Sequence, residues 1–351
     1  MAGREQRKVL LKPIEVCASA ERILILKTNF LGDVLNFLPV ANFLRKASKA
    51  GICWLVTKPG YPVVAELADA DEILLLDDAY LYNYGNLLDI ASWLREKRFD
   101  LLVTSYQEEC FLISLLALLS RTPERVGYNL LNRGWFFNIV VPKSDSERRV
   151  EINAQIIKTL GGAGHKDYLY VPKATVPGAE RFAARLQAEF GVSPKDNLCV
   201  LHLYSPKPSK SFLMEYADEL IARVKAELGM TPVLIGSEAE VRRFGEERKK
   251  LGLVNLAGQL SLLELYYLLK QAGLFIGIDS FPMQLTEFAG VKAVTLFGST
   301  EIGENRVPFA GTVRAEVKCA PCWPRKTECD QGLACWRELK PELIIRAAKE
   351  L

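Results

Sequence analysis

Asp33 lies in the segment KTNFLGDVLNFLP, directly after a short apolar run and within what reads as the first turn of a helix. Two roles suit a carboxylate there. Near a helix N-terminus it gains about 0.3–1 kcal/mol from the helix dipole, and at the floor of a cleft between two domains it could act as a base toward an acceptor hydroxyl. Thr28, Asn29 and Gly32 share its loop, and a glycine there allows a ligand close to the backbone. A second group is the loop SPKPSKSF, with Lys207 and Lys210 among Ser205, Ser209 and Ser211. It is either a solvated basic turn or a cradle of cations and hydroxyls for the charge of a departing diphosphate. A third is GIDSFPMQLTEFAG, Gly277 to Gly290, where a strand ending in Asp279 opens at Ser280 onto a helix whose first N–H groups suit phosphate. Glu238, just past the strand-like TPVLIG, fits a helix start or a ribose or base contact.

Two further constellations carry chemistry of another kind. Asp69-Ala70-Asp71 has the D-x-D spacing by which some transferases hold a divalent ion, but it directly precedes the strand-like EILLL and reads first as a strand entrance. Cys319, Cys322, Cys329 and Cys335 form C-x2-C-x6-C-x5-C. Four sulfurs so spaced suit tetrahedral zinc or iron and could staple a loop too small for its own core, with free thiols and disulfides as the other readings. His165 and His202 are the only histidines, and both read as structural, although His202 lies just before the lysine loop.

These residues need a scaffold of strands and loops, and 351 residues at 49% hydrophobic and 25% charged suffice for two cores. Short apolar runs alternate with helical patterns: RILILK from Arg22, ICWLVT from Ile52, EILLL from Glu72 and DLLVTS from Asp100, with helices to Lys46, near Tyr61 to Ala68 and over Asn86 to Lys97. Arg121 to Pro142 is aromatic and basic without a clear period, and a helix follows from about Glu151 to Leu160. The pattern then repeats: LCVLHLY, a helix over Phe212 to Leu228, TPVLIG, a helix over Glu238 to Lys250, LVNLAG, a helix over Ser261 to Gln271, LFIGID, a helix from about Ser280, and KAVTLFG. Ser261 with Glu264 three residues on has capping-box spacing. The expected organisation is an extension over 1–20, a first Rossmann-like domain over 21–172, a linker and connecting helix over 173–196 marked by Pro172 and Pro177, and a second such domain over 197–351. In doubly wound sheets ligands bind beyond the carboxyl ends of the strands, where the candidate residues fall.

A net charge of +3 argues against general nucleic-acid binding. Arg4, Arg7 and Lys8, and the pair Arg148–Arg149, are locally basic, read as solvated charge or as weak attraction to an anionic membrane surface. The charged N-terminus lacks the pattern of a secretory signal, and the longest apolar run, Cys110 to Leu119, falls short of the roughly 20 residues a membrane span needs. A cytoplasmic location is expected, with cysteines free or metal-bound rather than paired.

Taken in order, the segments resemble the ADP-heptose:lipopolysaccharide heptosyltransferases, glycosyltransferase family 9. KTNFLGDVLNFLPV looks like the family's N-terminal signature, RRVEINAQIIKTLG like its inter-domain helix, and LAGQLSLLELYYLLKQAGLFIGIDSFPMQLTEFAG with VTLFGST like its donor-binding half. The resemblance runs from about Arg22 to the C-terminus. It implies an α/β GT-B fold, two Rossmann-like doubly wound domains facing each other across a cleft, and inverting transfer that needs no metal. It assigns Asp33 as general base, Ser205 and Lys210 to the donor's phosphates, Glu238 to its nucleoside and Asp279 to its sugar. Members carry Asp-Ser/Thr-Gly and then a histidine; here Phe281 stands for the glycine and Gln284 for the histidine.

The implied function is transfer of heptose from a nucleotide-diphospho-heptose such as ADP-heptose to a lipid-linked lipopolysaccharide core saccharide, at the inner face of the inner membrane. Some protein-directed members carry a four-cysteine iron finger, so a branch acting on protein or on a small-molecule acceptor is an alternative. Phe281 and Gln284 keep open a protein that binds a sugar nucleotide without transferring it.

Overall fold

A computed structural model of the chain describes residues 13–106, 111–128, 134–193, 196–238, 253–322 and 328–351. Contacts divide it into two compact units, Met1–Pro172 and Lys173–Leu351. Each is built on one six-stranded parallel sheet.

In the first unit the strands are β1 (Arg22–Leu26), β2 (Gly51–Thr57), β3 (Glu72–Leu76), β4 (Leu101–Thr104), β5 (Glu124–Tyr128) and β6 (Ile139–Val141), in the order β3-β2-β1-β4-β5-β6. In the second they are β7 (Leu198–His202), β8 (Thr231–Leu234), β9 (Val254–Asn255), β10 (Leu274–Ile278), β11 (Ala293–Phe297) and β12 (Ala310–Arg314), in the order β12-β11-β10-β7-β8-β9. Numbered within its own unit, each sheet reads 3-2-1-4-5-6. The winding reverses between β1 and β4, and again between β7 and β10. Crossover helices cover both faces, which is why the central strands are continuous apolar runs rather than alternating ones. Ile23 to Leu26 are fully buried, with Leu24 opposite Cys53 on one side and Leu102 on the other.

The core of the first unit joins Leu24, Leu26 and Leu55 to Ile90, Leu94, Leu102 and Leu116, and that of the second joins Leu201, Ile276 and Leu296 to Leu220, Val224, Trp336 and Ile344. The helix Val176–Phe190 belongs to the second unit by its contacts. Thr175 caps its start by accepting from the Gly178 amide at 3.1 Å, Gly191 ends it at φ 67°, and its Phe182 and Arg185 meet Tyr267 and Glu264 of the helix Leu262–Gln271.

Three expectations need correction or restriction. Within the segment read as an extension, Pro13–Ser19 form a helix with Val16 and Cys17 buried; seven residues are too few to show a period. The patternless stretch from Arg121 to Pro142 holds two edge-side strands, β5 and β6, too short for a repeat of their own. The helix expected over Glu238 to Lys250 lies, beyond Glu238, outside the described residues, as do Arg4, Arg7 and Lys8. Among the described residues no helix is long and apolar enough to cross a membrane.

Candidate active site

In the first unit the loop leaving β1 carries the acceptor-side candidates. Lys27 is fully buried and its ammonium donates to Asn29 Oδ1. Thr28 is fixed twice: its carbonyl accepts from the Thr57 hydroxyl at 2.9 Å, and its own hydroxyl lies 2.8 Å from the Tyr82 hydroxyl. The loop then enters the helix Leu31–Leu35, with Gly32 and Asp33 in its first turn and Phe30 at its cap without a side-chain hydrogen bond. Asp33 is 9% exposed.

Its partner comes from far along the chain. Arg149, first residue of the helix Arg149–Thr159, places Nη1 on Asp33 Oδ1. One turn on, the buried Asn153 donates to the Asn36 carbonyl at 3.4 Å, so the two helices are joined where the ion pair forms. Arg148 is buried as well and pairs with Glu151. The pair Arg148–Arg149 is therefore not free solvated charge: Arg148 is buried and Arg149 only partly exposed. Both guanidinium groups face carboxylates, because a cation half out of water is stabilised by a fixed anion. The D-x-D carboxylates are likewise engaged: Asp69 and Asp71 both contact Arg45, at 2.9 and 2.6 Å, and Asp71 accepts from the Ile52 amide at 2.7 Å. They pin the entrance of β2 to that of β3.

In the second unit the candidates fall on the loops after β7 and β10, the adjacent strands where the winding reverses. Lys210 Nζ stands 3.7 Å from Asp279 Oδ2, and Asp279 is almost fully buried. Ser280 Oγ lies 2.9 Å from His202 Nδ1 and 3.3 Å from the Ile278 carbonyl. It makes no side-chain cap hydrogen bond to the start of the helix Phe281–Ala289. Gln284 Nε2 is 3.3 Å from Asn305 Oδ1. Ser205 starts the lysine loop, where Ser211 is a staple: its hydroxyl accepts from the Ser205 amide at 3.0 Å and lies 2.9 Å from the Ser205 carbonyl. Ser211 holds the loop's shape, a role the composition of SPKPSKSF did not distinguish from ligand contact. Glu238 sits against Gly258, whose φ of +73° suits glycine and whose added Cβ would stand 3.2 Å from the Glu238 Cα.

Cys319, Cys322, Cys329 and Cys335 form no disulfide, with Cys335 buried and Cys329 exposed. Burial and then the neighbouring Cys319, Cys329 and Cys322 push the Cys335 thiol up to about 11. The four thus share one neighbourhood, yet among the described residues no three metal-ligating side chains converge as a ready cation cage. The electrostatic effect reaches further than a metal–sulfur bond, so the two findings agree on proximity without coordination.

The model of glycosyltransferase family 9 (heptosyltransferase) matches residues 88–331, more than two thirds of the chain. The chain belongs to glycosyltransferase family 9. A curated relative, lipooligosaccharide heptosyltransferase 2 of Campylobacter jejuni, is 31% identical over 109 residues, 30% of this chain and 34% of that protein. The chain therefore matches about a third of the length of that relative. Two solved structures extend the likeness across the fold: the family 9 glycosyltransferase of Veillonella parvula, with TM-score 0.72 and 18% identity over 94% of this chain and 96% of that one, and the E. coli heptosyltransferase WaaC with ADP-2-deoxy-2-fluoro heptose, with TM-score 0.64 and 18% identity over 94% and 99%. At such identities they establish the fold alone, an α/β fold with two parallel sheets. The residues around the candidate site that sequence reasoning passed over as partners are Arg149 and Tyr82. The first had a signal, a basic pair opening a predicted helix, but nothing in the sequence told which carboxylate it would meet.

Proposed function

We propose that the chain transfers a heptose from a nucleotide-diphospho-heptose to a lipopolysaccharide core saccharide, with inversion at the anomeric carbon and no metal in the transfer step. ADP is the nucleotide favoured, by analogy with the ligand of WaaC. The observation that carries this reading is the meeting of Lys210 and Asp279 on the loops after β7 and β10. That is the position where doubly wound sheets take their ligands, and it pairs a cation for phosphate with a carboxylate for sugar hydroxyls.

In this reading the second unit holds the donor. Lys210, Ser205 and the open first turn beginning at Ser280 receive the diphosphate, Glu238 meets the nucleoside, and Asp279 and Gln284 face the sugar. The first unit holds the acceptor, its hydroxyl directed by Thr28, Asn29 and Gly32 toward Asp33. Asp33 Oδ2 takes the hydroxyl proton while Arg149 keeps Oδ1. The acceptor oxygen forms the new bond to the anomeric carbon as the bond from that carbon to the phosphate oxygen breaks, and the nucleoside diphosphate leaves with the electron pair. A lipid-linked acceptor would bring a cytoplasmic protein to the membrane as a peripheral visitor.

Incubation with ADP-heptose and core saccharides should release ADP and give a product of inverted anomeric configuration by NMR. Asp33→Asn should lower turnover by at least about a hundredfold, the scale of general base catalysis, with ADP affinity intact. Unchanged turnover in that variant removes Asp33 from the role.

The cysteine segment supports a second reading, a branch of the family with a structural cation and a protein or small-molecule acceptor. The Cys335 thiol, pushed up first by burial and then by Cys319, Cys329 and Cys322, stands close enough to three other sulfurs to feel them, and such a set of soft ligands suits a soft dication that replaces their protons. Cys319, Cys322, Cys329 and Cys335 would hold zinc or iron and brace their segment without taking part in transfer. Elemental analysis of the purified protein, with a panel of acceptors, tests it: no stoichiometric zinc or iron would remove the cation, and transfer confined to core saccharides would remove the branch.

A further inference from the structure

The lysine loop is exposed over Pro206 to Pro208, and beside the Ser211 staple a second fixture ties it to the rest of the unit next to Lys210. The carbonyl of Ser209, one residue earlier, is the anchor. It accepts from the Trp336 indole Nε1 at 2.8 Å and from the Ser299 hydroxyl at 2.9 Å, and all three residues are buried. Trp336 follows Cys335 directly in the short helix Ala334–Arg337, and the Cys322 amide donates to the Ser299 carbonyl at 2.9 Å. Both hydrogen bonds to Ser209 therefore lead back to the cysteine segment.

The indole has little freedom to move. A Cβ built on Gly298 would stand 2.2 Å from its ring, and Phe212, which closes the lysine loop, packs edge-on at 6.2 Å. The next turn is tied down by the Tyr216 hydroxyl, which donates to the Arg337 carbonyl at 3.2 Å.

We propose that Trp336 is a positioning residue for the donor: through the Ser209 carbonyl its indole N–H sets where Lys210 stands, so that the cysteine segment governs affinity for a nucleoside diphosphate. This rests on the reading of the Lys210 loop as the diphosphate site. A carbonyl that loses one of two buried donors lets the turn shift, and the ammonium moves with it.

The test is titration calorimetry with ADP on the full-length protein and on W336F, K210A and the double variant, with circular dichroism confirming that each is folded. W336F should bind ADP about three- to tenfold more weakly, the range of one hydrogen bond. In the K210A background it should cost nothing further, because the lysine it positions is gone; a merely structural role would weaken both backgrounds alike. Should W336F not fold, S299A removes the other donor to the same carbonyl without disturbing the indole and should weaken binding in the same way. Wild-type affinity in W336F or S299A, or additive losses in the double variant, overturns the proposal. Wild-type affinity in K210A instead overturns the donor-loop reading itself.

Discussion

An aspartate that serves as a base must stay where it is while its proton load changes, and Arg149 is what holds Asp33. The guanidinium takes one carboxylate oxygen from a site where the aspartate is almost out of water, so replacement of Arg149 leaves a charge with neither solvent nor partner. Arg149→Gln should lower stability by about 1.5–3 kcal/mol, the worth of a hydrogen bond to a charged group, read from urea unfolding. It should also slow transfer while ADP affinity stays put. A titrating residue nearby gives a second expectation. Burial, and after it the Arg148 cation, hold the His165 imidazole below its usual range, with Glu151 opposing. The unfolded chain then takes up this proton at a higher pH than the native protein, and stability falls as pH drops through the ordinary imidazole range near 6.5. The loss ends once the depressed native value has been passed. Compared with wild type, His165→Gln should show a flatter stability curve between about pH 7 and about pH 5 and no difference near pH 8; equal slopes would mean that the imidazole is as free to charge in the native protein as in the unfolded chain. Residue types and spacing were enough to single out Asp33, Lys210 and Asp279. They could not reveal Arg149, because 116 residues separate the two partners and only the fold joins them.

Among the elements, those with a strong local rule were legible. Ser261 and Glu264 form the reciprocal cap that their spacing predicts: the Glu264 amide donates to the Ser261 hydroxyl at 3.2 Å, and the Ser261 amide donates to Glu264 Oε2 at 2.9 Å. The other carboxylate oxygen reaches Arg185 at 2.6 Å, so the cap also ties the helix Leu262–Gln271 to its neighbour Val176–Phe190. Ser261→Ala should cost about 0.5–2 kcal/mol in chemical denaturation, the usual loss for an N-cap hydroxyl. A loss near zero would mean that Arg185 alone sustains the helix start. Central strands were legible for a different reason, since burial on both faces writes a continuous apolar run. Where neither rule applied, the elements stayed hidden. Phe111–Leu119 is apolar on every side and shows no period, although it is a buried crossover helix of the first unit. β5 and β6 are short and lie toward one edge, with half-buried residues at their starts, so they read as part of an aromatic loop.

For the whole molecule, the repeated 3-2-1-4-5-6 order gives two separate cores, and ligand linkage tests the proposed division of donor and acceptor between them. The residues assigned to the donor all lie in the second unit, and Asp33 lies in the first. Free ADP at about 100 times its dissociation constant stabilises whatever binds it by about 2.7 kcal/mol. In a unit of this size that corresponds to a rise of about 5–10 °C in melting temperature. Scanning calorimetry should show that rise for the wild type and for Asp33→Asn, because the proposed function has the aspartate meet the acceptor rather than the donor. In Lys210→Ala the rise should shrink at the same ADP concentration, because the lysine contributes to affinity and linkage depends on the ratio of ligand to dissociation constant. If Asp33→Asn lost the shift while Lys210→Ala kept it, the duties of the two units would have to be exchanged. The same pair of variants separates binding from chemistry: a protein with Phe281 and Gln284 in place of the usual glycine and histidine that shows the full ADP shift but transfers nothing to any core saccharide would be a sugar-nucleotide binder on a transferase fold.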